Sequence, residues 1–384
     1  MIIKTQEQLA NICATLSQKP YITIDTEFLR DKTFYSKLCL VQLAAPDVDA
    51  VAIDPIEFDL DLTPFNELLQ NEKVIKVFHA ARQDLEIFYQ MNGKIPHPIF
   101  DTQVAAMVCG YGDSIAYNKL VHDITGHNLE KNAQFTDWSR RPLSDKQMTY
   151  ALNDVTYLRE VYEVLDARLI KQERHHWVDQ EMDVLTNPGT YDMPVETIWQ
   201  RIKIRSDKPE ILAILRELAI WREELARKKD IPRSRIMKDE ALADIAMYMP
   251  KDLNGLSRIR NVPKDAIKNH IGETLLKLVE KARQSDKSTW PQVKRGTPFP
   301  RELAPILEML KLLLKINCSE ADVAGKLVAN SDDLETIATQ KNPDCPALIG
   351  WRFEVFGKDA LDLKAGKLFL GIKNGQIAKI LTTR

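Results

Sequence analysis

Tyr21-Ile22-Thr23-Ile24-Asp25-Thr26-Glu27-Phe28 is an apolar run that carries two acids one residue apart. Side chains alternate along a strand, so Asp25 and Glu27 point to the same face. An apolar strand does not bury two carboxylates on one face unless something cationic offsets their desolvation. Metal ions are the simplest such partner.

Working outward, strand and helix signals alternate over the first ~170 residues. Residues 21–28, 38–43 and 48–53 are expected as three successive strands, 62–69 as a helix and 73–78 as a further strand. A helix carrying Asp84 should end near Gly93, and 101–109 and 115–125 give two more. Ser144 with Gln147 three residues on is a capping-box signature. It opens a long helix expected to run through Tyr150 and Asp154 to about Lys171. This is a mixed sheet flanked by helices.

Beyond residue 200 the strand signal nearly vanishes. Leu212, Leu215, Leu218 and Ala219 recur at helical spacing, as do Leu242, Ile245, Ala246 and Met249. A Pro/Gly-bearing break at 290–300 reads as a linker. A second helical block follows, similar in length to the first, and both place a Lys/Arg-bearing helix before a Ser/Asp-capped one. That pattern raises an internal duplication.

The net charge of −2 hides an asymmetry. Residues 1–168 carry roughly 16 basic and 24 acidic side chains, whereas 201–295 carry roughly 23 and 14. A basic module joined to an acidic one suits a polyanion held by one part and acted on by the other; a solvated basic surface reads equally well. Cys13, Cys39, Cys109, Cys318 and Cys345 stand far apart with no CxxC pair. This argues against a zinc ribbon or a disulfide framework and fits a reducing cytosol. The opening residues lack an apolar signal core, and no stretch approaches the ~18 apolar residues of a membrane span. A cytoplasmic protein without membrane contact is expected.

The acids gain meaning from Asp84 and from Tyr150-Ala151-Leu152-Asn153-Asp154. Phosphodiester hydrolysis needs an activated water, an electrophile on the phosphate and relief for the leaving oxygen, and two divalent ions supply all three. Hard ions such as Mg²⁺ or Mn²⁺ prefer carboxylate oxygens. Tyr150 and Asp154, at i and i+4 of a helix, share one face. The carboxylate can ligate a metal while the phenol orients the attacking water. With an ordinary pKa near ~10, Tyr150 fits hydrogen bonding better than general-base work.

Asp25-x-Glu27, Asp84 and Tyr150-x3-Asp154 match the three exonuclease motifs of the DEDD superfamily, in its tyrosine branch. Thr149 stands where the sister branch has histidine. The wider text, with His79-Ala80, Asp101-Thr102-Gln103 and Asp137-Trp138-Ser139-Arg140-Arg141-Pro142-Leu143-Ser144, resembles the ribonuclease D family. Residues 208–287 are similar to an HRDC domain through Trp221-Arg222, the stretch 235–242 and Tyr248-Met249-Pro250. One departure is Asn269-His270-Ile271-Gly272, where the module more often has His directly before Gly.

The resemblance implies a ribonuclease-H-like α/β 3′–5′ exonuclease domain over 1–171. Two all-α HRDC helical domains would follow, at 208–287 and, more divergent, at 297–376. It implies 3′-to-5′ hydrolysis of RNA to nucleoside 5′-monophosphates, with precursor tRNA 3′ ends as the typical substrate and a monomer as the working form. Asp25 would bridge two divalent ions, Glu27 and Asp154 would complete one of them, and Asp84 would hold the second through water. Tyr150 would orient the attacking water. Two alternatives stay open: a DNA-directed exonuclease and a non-catalytic RNA-binding scaffold.

Several neighbours have blander readings. Asp101 suits a helix N-cap, and His79 a buried structural role. His175 and His176 read as surface residues. Arg140 and Arg141 fit either a phosphate grip or a solvated loop. Arg227-Lys228-Lys229 and Arg233-Ser234-Arg235, around Ile231-Pro232, fit a binding loop or an exposed helix end.

Overall fold

The computed structural model describes residues 1–130, 136–265, 270–292 and 299–381. Most of the expected linker at 290–300, and Asn269 of the HRDC-like motif, lie outside them.

Six strands form one sheet: β1 (Ile2–Ile3), β2 (Tyr21–Leu29), β3 (Lys37–Ala45), β4 (Val48–Ile53), β5 (Ile75–Phe78) and β6 (Ile99–Asp101), in the order β1-β4-β3-β2-β5-β6. β2 pairs antiparallel with β3 and parallel with β5, so the carboxylate-bearing strand is central. Central strands with both faces covered are apolar throughout. Ile22, Ile24, Val41, Leu43 and Val77 are accordingly buried.

Helices α1 (Gln6–Leu16), α2 (Thr63–Leu69), α3 (Arg82–Asn92), α4 (Thr102–Val108), α5 (Tyr117–Thr125) and α6 (Asp145–Lys171) surround the sheet. Gly93 ends α3 in the left-handed conformation, φ 66°, which glycine adopts without a Cβ penalty. At the start of α6 the capping box is present: the Ser144 hydroxyl accepts from Gln147 N–H while the Gln147 side chain reaches back. Thr23 Oγ1 on β2 donates to the Val155 carbonyl at 2.8 Å, and the Tyr21 hydroxyl donates to Glu163 at 2.5 Å. These bonds hold the middle of α6, next to Asp154, against β2.

Packing onto the core of the exonuclease region continues past Lys171. Helix α7 (His175–Leu185) packs on α4 and α6, and its Trp177 belongs to the main core. Helices α8 (Pro209–Lys229), α9 (Arg233–Ile236) and α10 (Asp239–Tyr248), with the helix His270–Gln284, then build a separate core around Leu215, Leu218, Leu242 and Ile245.

The second helical block opens with the same order of helices. Helix Ala304–Ala321, the short helix Gly325–Val328 and helix Ser331–Thr339 follow one another as α8, α9 and α10 do. Both long helices end on a left-handed aspartate, Asp230 (φ 48°) and Asp322 (φ 50°). In both, the next residue's N–H closes on a carbonyl of the last turn (Ile231 to Ala226, Val323 to Cys318). Both short helices stop at an extended residue, Met237 or Ala329. The core of this block is continuous with that of the exonuclease domain. Trp351 stacks on Trp177 with ring centroids 4.2 Å apart, and Ala324 N–H donates to the Met107 carbonyl at 2.9 Å.

The all-helical expectation for this block misses a feature. Strands β7 (Leu368–Lys373) and β8 (Gln376–Leu381) form an antiparallel hairpin. Asn374 and Gly375, both at positive φ, make its two-residue turn. The edge expected at 376 therefore falls at the start of β8.

Candidate active site

Asp25, Glu27 and Asp154 each bring a carboxylate oxygen to a group whose members lie within 4.8 Å of one another. The first two come from neighbouring same-face positions of β2, the third from α6 laid across it. All three are half-buried. Asp84, in the first turn of α3, is buried beside this group and outside it. Its carboxylate accepts a very short hydrogen bond from Thr26 Oγ1, the residue between the two β2 acids.

No basic side chain pairs with any of the four among the described residues, and their electrostatics carry that strain. Burial and then the neighbouring Asp154, Asp84 and Glu27 push the Asp25 carboxyl well above its ordinary range. Burial, with Asp154 and Asp84, raises Glu27 to about 9. Burial raises Asp84 to about 7 against the opposing Thr26 bond, and Asp154 to about 7 against a bond from Tyr150. A set of unpaired carboxylates that protonate unless a cation arrives is the donor chemistry of a hard divalent ion.

Tyr150 stands one turn before Asp154 and hydrogen-bonds to it. Burial and then the Asp154, Glu27 and Asp25 charges push its phenol far up, so it stays a hydrogen-bond donor. Its ring lies 6.2 Å from that of Trp138, which is buried. Outside the pair opens a cavity of about 780 Å³ whose lining includes Asn128, Thr136, Arg140, Gln147, Asn153 and Asp154.

Three contributors carried no sequence signal. Gln42 is fully buried on β3 opposite Asp25. With its amide oriented so that both ends are satisfied, it donates to the Asp25 carboxylate at 3.3 Å and to the Asp25 backbone carbonyl at 2.7 Å. Thr26 read only as a spacer. Tyr117, whose hydroxyl donates to the Asn153 carbonyl at 3.2 Å, has its phenol pushed up by burial and then by Asp154, Asp25 and Tyr150. Only cross-strand register and tertiary packing bring these three in.

The blander readings sort cleanly. Asp101 caps α4 through Gln103 N–H and also accepts from Ala80 and Ala81 N–H. His79 is bonded to Thr102 Oγ1 at 3.0 Å inside the fold. His175 pairs with Asp166 at 3.2 Å, and His176 is exposed. Arg141 is no phosphate grip: it forms a two-pronged pair with the fully buried Asp54 at 2.6 and 2.7 Å. Arg140 is exposed, pairs with Asp137 at 3.2 Å and lines the cavity beside Tyr150.

The basic loop divides in two. Arg227 and Arg233 turn inward onto the fully buried Glu223 and lie over the Phe34 ring of the β2–β3 loop. Asp230, beside them, accepts the N–H groups of Phe34 and Tyr35, each at 3.0 Å. Lys228, Lys229 and Arg235 remain exposed.

Comparison with known proteins shows the family of the chain. The 3′–5′ exonuclease family matches residues 1–170, and the HRDC domain matches 211–279. Ribonuclease D of Nitrobacter hamburgensis is 47% identical over 379 residues, 99% of each chain. Ribonuclease D of Bartonella henselae is 47% identical over 95% of this chain and 90% of its own. Among solved structures, Escherichia coli RNase D, described as an exoribonuclease involved in structured RNA processing, superposes with a TM-score of 0.80. That likeness comes at 28% identity and covers 95% of this chain and 98% of the other. With an exonuclease domain, a following HRDC domain and full-length relatives of one kind, the chain belongs to the ribonuclease D family of 3′–5′ exoribonucleases.

Proposed function

We propose that Asp25, Glu27, Asp84 and Asp154 hold two divalent ions, Mg²⁺ or Mn²⁺, and that Tyr150 positions the water that attacks the 3′-terminal phosphodiester. The observation carrying this reading is the cluster of three uncompensated carboxylates with Asp84 beside it. When bound, the ions supply the activated water, an electrophile for the phosphate and stabilisation of the leaving 3′-oxygen.

The chain's own groups set the geometry. Gln42 fixes one edge of Asp25 and leaves the rest of that carboxylate for the cation. Thr26 fixes Asp84 in the same way. Tyr150, locked protonated and bonded to Asp154, orients a water by donating or accepting at its hydroxyl and does not take its proton. The cavity beside it, with Arg140 and Asn153 on its wall, is sized for the terminal nucleotide.

Residues 208–287 act as an HRDC domain, with Lys228, Lys229 and Arg235 free to meet RNA phosphates. Residues 297–376 act as a second HRDC-like domain extended by the hairpin; the repeated backbone around Asp230 and Asp322 supports this. Precursor tRNAs and other structured RNAs with 3′ extensions are the substrates. The naming of full-length relatives and the RNA-processing role of the E. coli protein favour them over DNA. Among the described residues no helix is long and apolar enough to cross a membrane, and we place the enzyme in the cytoplasm as a monomer.

Asp25→Ala tests the assignment. Hydrolysis should vanish while RNA binding persists; equal loss of both would mean that the change unfolds the chain.

A further inference from the structure

A cavity of about 740 Å³ opens between the exonuclease domain and the first helical block. Its walls are the outer face of α3, the β2–β3 loop, the connection between α7 and α8, and α8 itself. Six arginines line it: Arg30, Arg82, Arg201, Arg222, Arg227 and Arg233. Four acids line it too, and each is already matched. Glu86 pairs with Arg30, Asp239 with Arg222, Asp192 with Arg227, and Glu223 with both Arg227 and Arg233. Arg82 and Arg201 are left exposed, with no ion pair or hydrogen bond to another described residue. The cavity therefore holds two unspent cationic forks, and planar guanidinium groups suit phosphate.

The cavity also has flat surfaces. Tyr89 of α3 and Tyr191 of the α7–α8 connection line it with ring centroids 6.1 Å apart. The Tyr191 hydroxyl is tied to the Leu185 carbonyl at 2.8 Å, which fixes that ring. Cationic side chains beside aromatic rings are how single strands are held without regard to sequence.

Position supplies the direction. Arg82 lies two residues before Asp84 on the first turn of α3, and Arg30 three residues after Glu27 beyond β2. The Tyr191 phenol lies within reach of the Asp84 and Asp101 charges. At its other end the cavity meets Arg227, next to the exposed Lys228 and Lys229. The two unpaired arginines thus lie between the exposed lysines of the helical block and the first turn of α3, where Arg82 stands two residues before Asp84. The volume suits a few unpaired nucleotides.

We propose that this cavity binds the unpaired stretch of RNA just upstream of the bond to be cut, with Arg82 and Arg201 each holding a backbone phosphate and Tyr89 and Tyr191 presenting faces to bases. The inference rests on the exoribonuclease reading for its substrate, and its test does not depend on hydrolysis.

The test is fluorescence anisotropy of a short single-stranded oligoribonucleotide in EDTA, at several salt concentrations, with wild type and the Arg82→Ala/Arg201→Ala double variant. Wild type should bind roughly tenfold more tightly, and the variant's log–log salt slope should fall by about 1.4, near 0.7 for each phosphate no longer neutralised. In parallel, photo-crosslinking of wild type with 4-thiouridine placed a few nucleotides from the 3′ end should label Tyr89 or Tyr191. Unchanged affinity and slope, or crosslinks confined to the outer face of the helical block, would overturn the proposal even if the enzyme degrades RNA. Intact binding effects in a protein that hydrolyses no RNA would instead overturn the catalytic reading and leave the cavity standing.

Discussion

Asp230 and Asp322 hold the same place in two successive helical blocks, and each turns its carboxylate onto the exonuclease domain. Asp230 accepts the N–H groups of Phe34 and Tyr35 at the far end of the β2–β3 hairpin. Asp322 pairs with Arg168 near the end of α6 at 2.7 Å and lies against Gly110. Gly110 sits at φ 81°, a left-handed conformation that favours glycine, and a Cβ there would push the Asp322 carboxylate aside. One helix-ending device thus docks both blocks, on the two elements that carry Glu27 and Asp154.

This makes Asp230→Gly, which keeps the left-handed turn and removes only the carboxylate, a test of docking rather than of folding. Losing two hydrogen bonds to a partly solvated carboxylate should weaken the interface by about 1–2 kcal/mol. Limited proteolysis should then cut faster in the connection 186–208, and the radius of gyration from small-angle scattering should rise, with little change in Tm. Unchanged proteolysis would show that the Phe34–arginine stack alone holds the block.

The second block is held by packing as well as by Asp322. Trp351→Ala removes the partner of Trp177 from a joint core and should cost ~3–5 kcal/mol. A single cooperative melt should shift down as a whole. A separate early transition with the main one unmoved would mean that the block and the exonuclease domain do not share a core.

Gln42→Leu keeps volume in a fully buried position and removes the amide facing Asp25. Supporting bonds of this kind are worth ~10–100-fold in metal affinity or activity. The half-saturating Mn²⁺ concentration should rise by about that factor while single-stranded RNA binding in EDTA stays unchanged. An unaltered metal requirement would leave Gln42 as core filling.

The metal-free protein should be more stable in mild acid than in base. Asp84 and Asp154 sit at about 7 and Glu27 at about 9 in the fold, all above their unfolded values. The folded state then binds more protons than the unfolded one, so stability falls as pH rises from about 4 through 7 to 9. Tm measured in EDTA should drop across that window, and Mg²⁺ or Mn²⁺ should restore it most at the alkaline end. A Tm that climbs with pH in EDTA would contradict the uncompensated cluster.

Much of this was legible in the sequence because it rests on local rules. Period-two alternation put Asp25 and Glu27 on one face, and i, i+4 spacing put Tyr150 beside Asp154. Ser144 and Gln147 marked the start of α6 to the residue. What was not legible depends on partners distant in sequence. Arg141 fits a phosphate grip or a solvated loop until Asp54 appears beneath it, and Arg227 and Arg233 fit a binding loop or an exposed helix end until Glu223 and Phe34 claim them. Gln42 needed the β2–β3 register. The β7–β8 hairpin had its own signal in Asn374-Gly375 between apolar runs, which the surrounding helical text outweighed.

The most direct test of the account is a time course on a 3′-extended, tRNA-like RNA labelled at its 5′ end, run with Mn²⁺, with Mg²⁺ and with EDTA, for wild type and Asp154→Asn. The account predicts a ladder shortening from the 3′ end that EDTA abolishes. It also predicts that Asp154→Asn slows the ladder by more than the roughly 10²-fold that loss of a supporting bond costs. Shortening that persists in EDTA, or an Asp154→Asn enzyme as fast as wild type, would contradict it.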